Sequence, residues 1–230
     1  MKFATRLHFE TLDSTNAFGK RNAFLPLPAL ITAQTQTAGR GRGERVWDSS
    51  PGCLMLTLLF RPEHGEIPEA KKRFVALATA MAIADTVKAM FPDESPQIHW
   101  PNDVYLRGKK LSGILLEILP SGVLVLGVGI NVRNDLPENL REIAISLREL
   151  SDSVTLNEVL ERFLKNAETR FRELCFSEKL LSEIDAICWQ KGRDLVLHTP
   201  QGDVFGHCDG IADDGAILLD GKKYYSERND

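Results

Sequence analysis

Apolar and polar positions along this chain recur with two different periods, and each change of period marks an element. Residues 29–36 and 53–60 are dense apolar runs of strand length, which predicts two strands with a long polar loop, 37–52, between them. Residues 11–20 predict a short helix capped by Asp13 or Ser14. Residues 71–91 predict a longer helix, with Phe74, Leu77, Met81 and Ala84 along one face and Pro92 stopping it. Three strands follow at 97–106, 111–119 and 123–132. The turns between them, Arg107-Gly108 and Pro120-Ser121-Gly122, are so short that the strands must pair antiparallel. A helical stripe of Leu156, Val159, Leu160, Phe163, Leu164, Ala167, Phe171 and Leu174 predicts a helix over 156–175, and another is expected over 178–189. After Gly192 the pattern shortens to strands at 194–198, 204–211 and 216–219, joined by Pro200-Gln201-Gly202-Asp203 and Asp213-Asp214-Gly215. Helices and sheet therefore come first and a small β unit last, a division placed at 1–189 and 190–230.

Composition changes this picture little. At 230 residues the chain fits one large domain or one domain plus a small one. Its 43% hydrophobic and 26% charged residues are those of an ordinary soluble globular protein. A net charge of −4 gives no general attraction to nucleic acid. Cys53, Cys175, Cys188 and Cys208 form no CxxC pair and read as buried thiols rather than a disulfide framework or zinc site. The histidines are scattered, without a zinc pattern; His99, beside Trp100, is assigned no role. Residues 1–6 lack the apolar core of a signal peptide, and no segment is long and apolar enough to span a bilayer, so no membrane association and a cytoplasmic location are expected.

The candidate chemistry centres on the loop that follows the first apolar run, Gln36-Thr37-Ala38-Gly39-Arg40-Gly41-Arg42-Gly43-Glu44-Arg45-Val46-Trp47. Glycines alternating with arginines let the backbone bend sharply while planar guanidinium forks project from it, an arrangement suited to phosphate or carboxylate oxygens. A basic loop on an acidic protein points to a small anion. Three other motifs accompany it: Asp13-Ser14-Thr15-Asn16; Trp100-Pro101-Asn102-Asp103 with Lys109-Lys110-Leu111-Ser112-Gly113-Ile114-Leu115-Leu116-Glu117; and Gly127-Val128-Gly129-Ile130-Asn131. The last lacks the third glycine of a dinucleotide fingerprint, and no GxxxxGK[ST] is present, so neither a Rossmann site nor a P-loop is indicated.

In order and spacing, these four motifs resemble the catalytic domain of biotin protein ligases, also called biotin–acetyl-CoA-carboxylase ligases. The resemblance runs from about Phe9 to Asn131 and continues more weakly toward the C-terminus. It implies an α+β fold of the class II synthetase or biotin–lipoate ligase kind, with a mixed, largely antiparallel sheet, packed helices and a small C-terminal SH3-like β-barrel. The implied activity uses ATP to convert biotin to biotinyl-5′-AMP, with Mg²⁺ expected although no motif places it. Biotin then passes to a lysine of the carrier protein of acetyl-CoA carboxylase. The site implied for biotin and its adenylate comprises Ser14, Thr15, Asn16, Gln36, Gly39, Arg40, Gly41, Arg42, Trp47, Asn102, Lys110, Gly113, Gly129 and Asn131, with Lys110, Arg40, Arg42 and Asp103 carrying the chemistry. With Asp13 so near the start, no helix-turn-helix precedes it, and no DNA partner is expected. A homodimer is compatible with the sequence but not required by it.

Each assignment has a plainer alternative. Asp-Ser-Thr-Asn is an ordinary helix cap, whose hydroxyls and backbone N–H groups would also suit a ureido oxygen or an anion. Lys110 is either a site lysine or an exposed turn lysine, with Lys109 expected on the opposite face in solvent. Asn102 orients phosphates or metal-bound water. Asp103 either steers the acceptor lysine or forms a structural Asx turn. Trp47 covers the adenylate or packs beneath the loop. Glu44 stands where the family often has glycine; it is expected to point away from the ligand and pair with Arg45. A lipoate or octanoate ligase, which shares the fold and the acyl-adenylate logic, is the alternative enzyme. A non-catalytic biotin-binding module is the alternative of another class.

Overall fold

The main sheet is built from β1 (Thr5–Leu12), β2 (Ala29–Gln36), β3 (Cys53–Phe60), β4 (Gln97–His99), β5 (Asp103–Leu106), β6 (Lys109–Ile118) and β7 (Leu124–Asn131). Their spatial order is β1-β2-β3-β7-β6-β5-β4. Strands β1 and β2 run parallel and every other neighbouring pair antiparallel, the mixed and largely antiparallel sheet expected. A parallel pair needs a crossover, and helix α1 (Thr15–Arg21) supplies it. The computed structural model describes residues 1–43, 45–61, 69–174 and 178–225, with 69–73 described by their backbone alone. Glu44 and its expected pairing with Arg45, and also Cys175, lie outside the described residues.

Two departures from the sequence reading bear on the site. Strand β1 went unrecognised, and the helix expected from residue 11 begins at Thr15. In β1, Thr5, Leu7 and Phe9 turn inward while Arg6, His8 and Glu10 turn outward. This period-two alternation is muted because an edge strand carries few large apolar side chains. The strand expected over 97–106 is instead two strands folded back on each other, with His99 paired to Asp103 across a reversal at Trp100-Pro101-Asn102. Pro101 has no N–H to give a ladder, so a single continuous strand was excluded by its presence. The reversal is held from outside: Gln190 accepts from Trp100 N at 3.0 Å and donates to Trp100 O at 2.9 Å, and the Trp100 indole donates to Gly215 O at 3.0 Å.

Helix α2 (Glu69–Met90) also differs from its expected single apolar face. Val75, Ala78, Ala80, Ala82, Ile83 and Val87 are as buried as Phe74, Leu77, Met81 and Ala84. The helix packs against β4, β5 and β6 and also against α3 (Leu156–Glu173) and α4 (Glu178–Ala186), so it is enclosed by protein on several sides. Its alanines permit that close approach. Arg170 of α3 clamps it through Asp85, with Nε 2.7 Å from the carboxylate.

The C-terminal segment forms a second sheet from β8 (Asp194–Thr199), β9 (Gly202–Ile211), β10 (Ile217–Leu219) and β11 (Lys222–Tyr224), in the order β11-β10-β9-β8. Among the described residues it is open. Strands β8 and β11 do not pair, so the expected barrel does not close there. Strands β10 and β11 have three residues each, too short to wrap around. The buried Leu197, Cys208, Ile211, Ile217 and Leu219 of this sheet join the same apolar cluster as α2 and the main sheet. Among the described residues, no helix is long and apolar enough to cross a membrane.

Candidate active site

Side-chain alternation along β3 and β7 creates the site. Leu54, Leu56 and Leu58 of β3 and Leu124, Leu126, Val128 and Ile130 of β7 face the helices. Met55 and Thr57, with Gly127 and Gly129, fall on the opposite face, where α1 and the arginine loop lie. Glycine at two successive inward positions leaves that face hollow. A Cβ on Gly127 would stand 2.3 Å from Asn16 Oδ1, and one on Gly129 only 2.4 Å from Trp47 Cε2. The result is a cleft open to solvent and lined by both polar and apolar groups.

The cleft brings together Ser14, Thr15, Asn16, Gln36, Arg40, Gly41, Arg42, Trp47, Asn102, Asp103, Lys110, Gly113 and Gly129. Gly39 and Asn131 are not among its lining residues. Gly39 instead receives Trp47 N through its carbonyl, and buried Asn131, opposite Cys53 at the end of β7, accepts from Asn134 at 3.1 Å. The sequence reading missed Arg45, Val46, Met55, Ile114, Leu115 and Val128 as lining residues, and Ser49, Thr57 and Glu117 as their supports. A polar Thr57 in the otherwise apolar Cys-Leu-Met-Leu-Thr-Leu-Leu-Phe strand was the signal available.

Helix α1 opens with Ser14 as its cap, Oγ accepting from Ala17 N at 3.4 Å. Asp13 fixes the approach by accepting from the guanidinium of Arg21 and from Ser14 N; these bonds, the Arg21 pair above all, hold its carboxyl down to about 2. Gln36 Oε1 accepts from both Thr15 N at 2.7 Å and Thr15 Oγ1 at 3.0 Å, while its Nε2 donates to Ser49 Oγ at 3.0 Å. The N–H groups of Ser14, Thr15 and Ala17 are therefore already taken, so these backbone donors are not the anion site envisaged from the sequence. The polar side chains are what face the cleft.

The arginine loop is a small hairpin. Gly41 N donates to Arg45 O at 2.7 Å, Trp47 N donates to Gly39 O at 3.1 Å, and Arg40 bridges Val46. Its far end returns Trp47 to the sheet, where the indole lies on Gly113 and Gly129 and also lines the cleft. Arg42 reaches across the cleft to Asn102 Oδ1 at 3.3 Å, and Asn102 Nδ2 donates to Ile114 O at 2.6 Å. Arg40 is exposed at the mouth.

Lys110 and Asp103 form an ion pair at 2.6 Å, which neither reading of the sequence anticipated. The side chains are 33% and 16% exposed, so the pair is partly screened, and its second carboxylate oxygen, Oδ1, is buried without a hydrogen-bond partner. Lys110 Nζ also lies 5.7 Å from the Trp47 ring. Its backbone is fixed by bonds to Ile143 O at 2.8 Å and from Ile145 N at 3.0 Å, so this is no loose turn lysine. Lys109, expected in solvent, caps Arg141 O at 2.6 Å. His99 stacks on Tyr105 outside the cleft, and burial keeps its imidazole below the ordinary value. Burial pushes the Cys53 thiol up to about 12, which leaves it a protonated core residue rather than a nucleophile. Among the described residues, no group of three or more His, Cys, Asp or Glu could hold a metal.

Comparison with known proteins agrees with this geometry. Residues 8–135 match the model of the biotin/lipoate A/B protein ligase family. A bifunctional ligase/repressor BirA of Bacillus spizizenii is 34% identical over 233 residues, covering 94% of this chain and 69% of that protein. A biotin–[acetyl-CoA-carboxylase] ligase of Mycobacterium tuberculosis is 32% identical over 197 residues, covering 83% of this chain and 73% of that protein. Among solved structures, the biotin protein ligase from Aquifex aeolicus in complex with biotin and ATP superposes with a TM-score of 0.82 at 27% identity, covering 94% of this chain and 92% of that one.

Proposed function

The chain belongs to the biotin/lipoate A/B protein ligase family, and we propose that within it this protein is the biotin ligase: it joins biotin to ATP as biotinyl-5′-AMP and passes biotin to a lysine of a carboxyl carrier domain. The observation that favours biotin over lipoate or octanoate is the hydrogen-bonding polarity left open at the cleft floor. Thr15 Oγ1 spends its proton on Gln36, and both N–H groups of Asn16 are taken by Leu115 O and Glu117, so these two residues have only acceptor capacity to offer. Gln36 keeps one N–H and Ser14 its hydroxyl proton, so these two can donate. Two acceptors beside donors match a cyclic urea, which presents two N–H groups and one carbonyl. A dithiolane ring or an alkyl chain presents neither and would leave these buried groups unsatisfied.

In the first half-reaction the biotin carboxylate attacks the α-phosphorus of ATP, the bond to the β-phosphate oxygen breaks, and pyrophosphate leaves. The residues that bring anions together here are Lys110, Arg42 and Arg40. A Mg²⁺ ion bound to the ATP phosphates would supply neutralisation of their charge. Asp103 is the only carboxylate among the cleft's described lining residues, which fits an ion held chiefly by phosphate and water, with the unpartnered Oδ1 as the protein atom to reach it. In the second half-reaction the neutral acceptor amine attacks the acyl carbon and AMP leaves. The ion pair links the steps: once phosphate draws Lys110 away, Asp103 is released to orient the incoming ammonium and receive its proton. The C-terminal unit, with its open four-stranded sheet read as SH3-like, acts as an accessory unit that braces the Trp100 turn through Gly215.

Pyrophosphate exchange into ATP, measured in parallel with biotin, lipoate and octanoate, tests the assignment. Exchange should depend on biotin and stay near background with the other two acids. Equal exchange with octanoate would move the protein to the lipoyl side of the family.

A further inference from the structure

Thr57 lies outside the motifs that first marked the site and Glu117 only closes one of them, yet together they determine how one of its residues is presented. Asn16 Nδ2 is 3.2 Å from Leu115 O and 3.2 Å from Glu117 Oε2. Both partners accept and neither has a proton to give, so only the nitrogen of the carboxamide can face them. Chemistry, not the assignment of amide atoms, thus sets the orientation. The oxygen must then face Thr57, whose hydroxyl donates to it at 2.7 Å. Thr57 is fully buried, so no bulk water can replace that donor. Lys20 holds the other oxygen of Glu117 at 2.7 Å, and the missing side chain of Gly127 leaves the space that Asn16 Oδ1 fills.

We propose that Thr57 and Glu117 are positioning residues for the ureido ring. Together they fix the Asn16 carboxamide with its oxygen at Thr57, so that its remaining lone pair accepts a ring N–H. The inference rests on the biotin reading. An unrestrained carboxamide can turn over and present its NH₂ group to a substrate N–H, placing two donors face to face. The pair therefore acts on recognition of the ring and leaves the phosphoryl chemistry on the far side of the cleft alone.

The test is steady-state biotin-dependent exchange by wild type, Thr57→Val, Thr57→Ser and Glu117→Gln, with biotin and ATP varied separately and melting followed for each. Valine keeps the shape of threonine and removes the donor. Thr57→Val should raise KM for biotin roughly tenfold, the usual worth of one buried hydrogen bond. Its kcat and KM for ATP should change less than about threefold on the same scale, and Thr57→Ser should restore the wild-type KM. Glu117→Gln weakens one of the two acceptors that fix the amide while Leu115 O keeps the other, and should raise KM for biotin by a smaller factor. An unchanged KM for biotin in Thr57→Val would overturn the proposal. So would a parallel loss of both KM values with a lowered melting temperature that serine fails to rescue, because it assigns Thr57 a purely structural role. If wild type shows no biotin-dependent exchange, the biotin assignment itself fails and takes this inference with it.

Discussion

Lys110→Ala is expected to lower biotin-dependent pyrophosphate exchange by at least a hundredfold while leaving the protein folded. The ammonium sits 2.6 Å from Asp103 at the point where the Arg42 loop, the Asn102 turn and β6 converge. It is the only lysine lining the cleft among the described residues. Loss of one preorganised charge at a developing phosphate typically costs about 3 kcal/mol in the transition state, which is a factor of more than a hundred. Stability should suffer far less. The main chain at residue 110 is held by Ile143 and Ile145 and by its ladder with β5, none of which involve the side chain. The abandoned Asp103 lines the open cleft, where water can replace part of the lost contact. Initial exchange rates at saturating ATP and biotin, alongside a thermal melt, separate the two effects. A folded variant that exchanges at the wild-type rate would show that Lys110 only neutralises Asp103.

Gly129→Ala should be nearly as damaging, for a steric reason rather than a chemical one. The added methyl carbon would stand 2.4 Å from Trp47 Cε2 and 2.7 Å from Cζ2, well inside van der Waals contact. Neither side can yield easily. Strand β7 is hydrogen-bonded on both edges, to β3 and β6, and Trp47 is bound through its own backbone to Gly39 and Ser49. Alanine is conformationally acceptable in a strand, so the cost is overpacking, roughly 1–3 kcal/mol. The least costly relief is to lift Trp47 off the sheet, and the hairpin bearing Arg40 and Arg42 moves with it. KM for biotin should rise about tenfold or more on that scale, and acrylamide should quench tryptophan fluorescence more effectively than in wild type. Unchanged KM and unchanged quenching would mean that the loop does not depend on this seat.

Much of this site was legible because its polar residues sit at chain reversals. The arginine loop, the Ser14 cap and the Arg107-Gly108 turn, with φ of 53° and 76°, declare themselves locally. Other features depend on what lies opposite in space. The Lys110–Asp103 pair needs β5 beside β6, and Thr57 acquires meaning only when α1 brings Asn16 against β3. Helix α2 concealed its buried flanks because alanines read as neutral in an amphipathic pattern, whereas here they mark close packing on several sides. Pro101 was the local signal of the reversal: it breaks the apolar run that suggested one strand. Asn131 closes the Gly-Val-Gly-Ile-Asn motif on the same strand face as Gly127 and Gly129, yet it lies at the strand end, where its oxygen accepts from Asn134 and it does not line the cleft.

The central claim, that this cleft makes biotinyl-5′-AMP and transfers its acyl group, is tested most directly by the intact mass of a purified biotin carboxyl carrier domain after incubation with the protein, ATP, Mg²⁺ and biotin. The expected result is a gain of one biotinyl group on one lysine, absent without ATP and absent when that lysine is replaced by arginine. No gain in mass with a folded protein, or a gain only when lipoate or octanoate replaces biotin, would contradict the assignment.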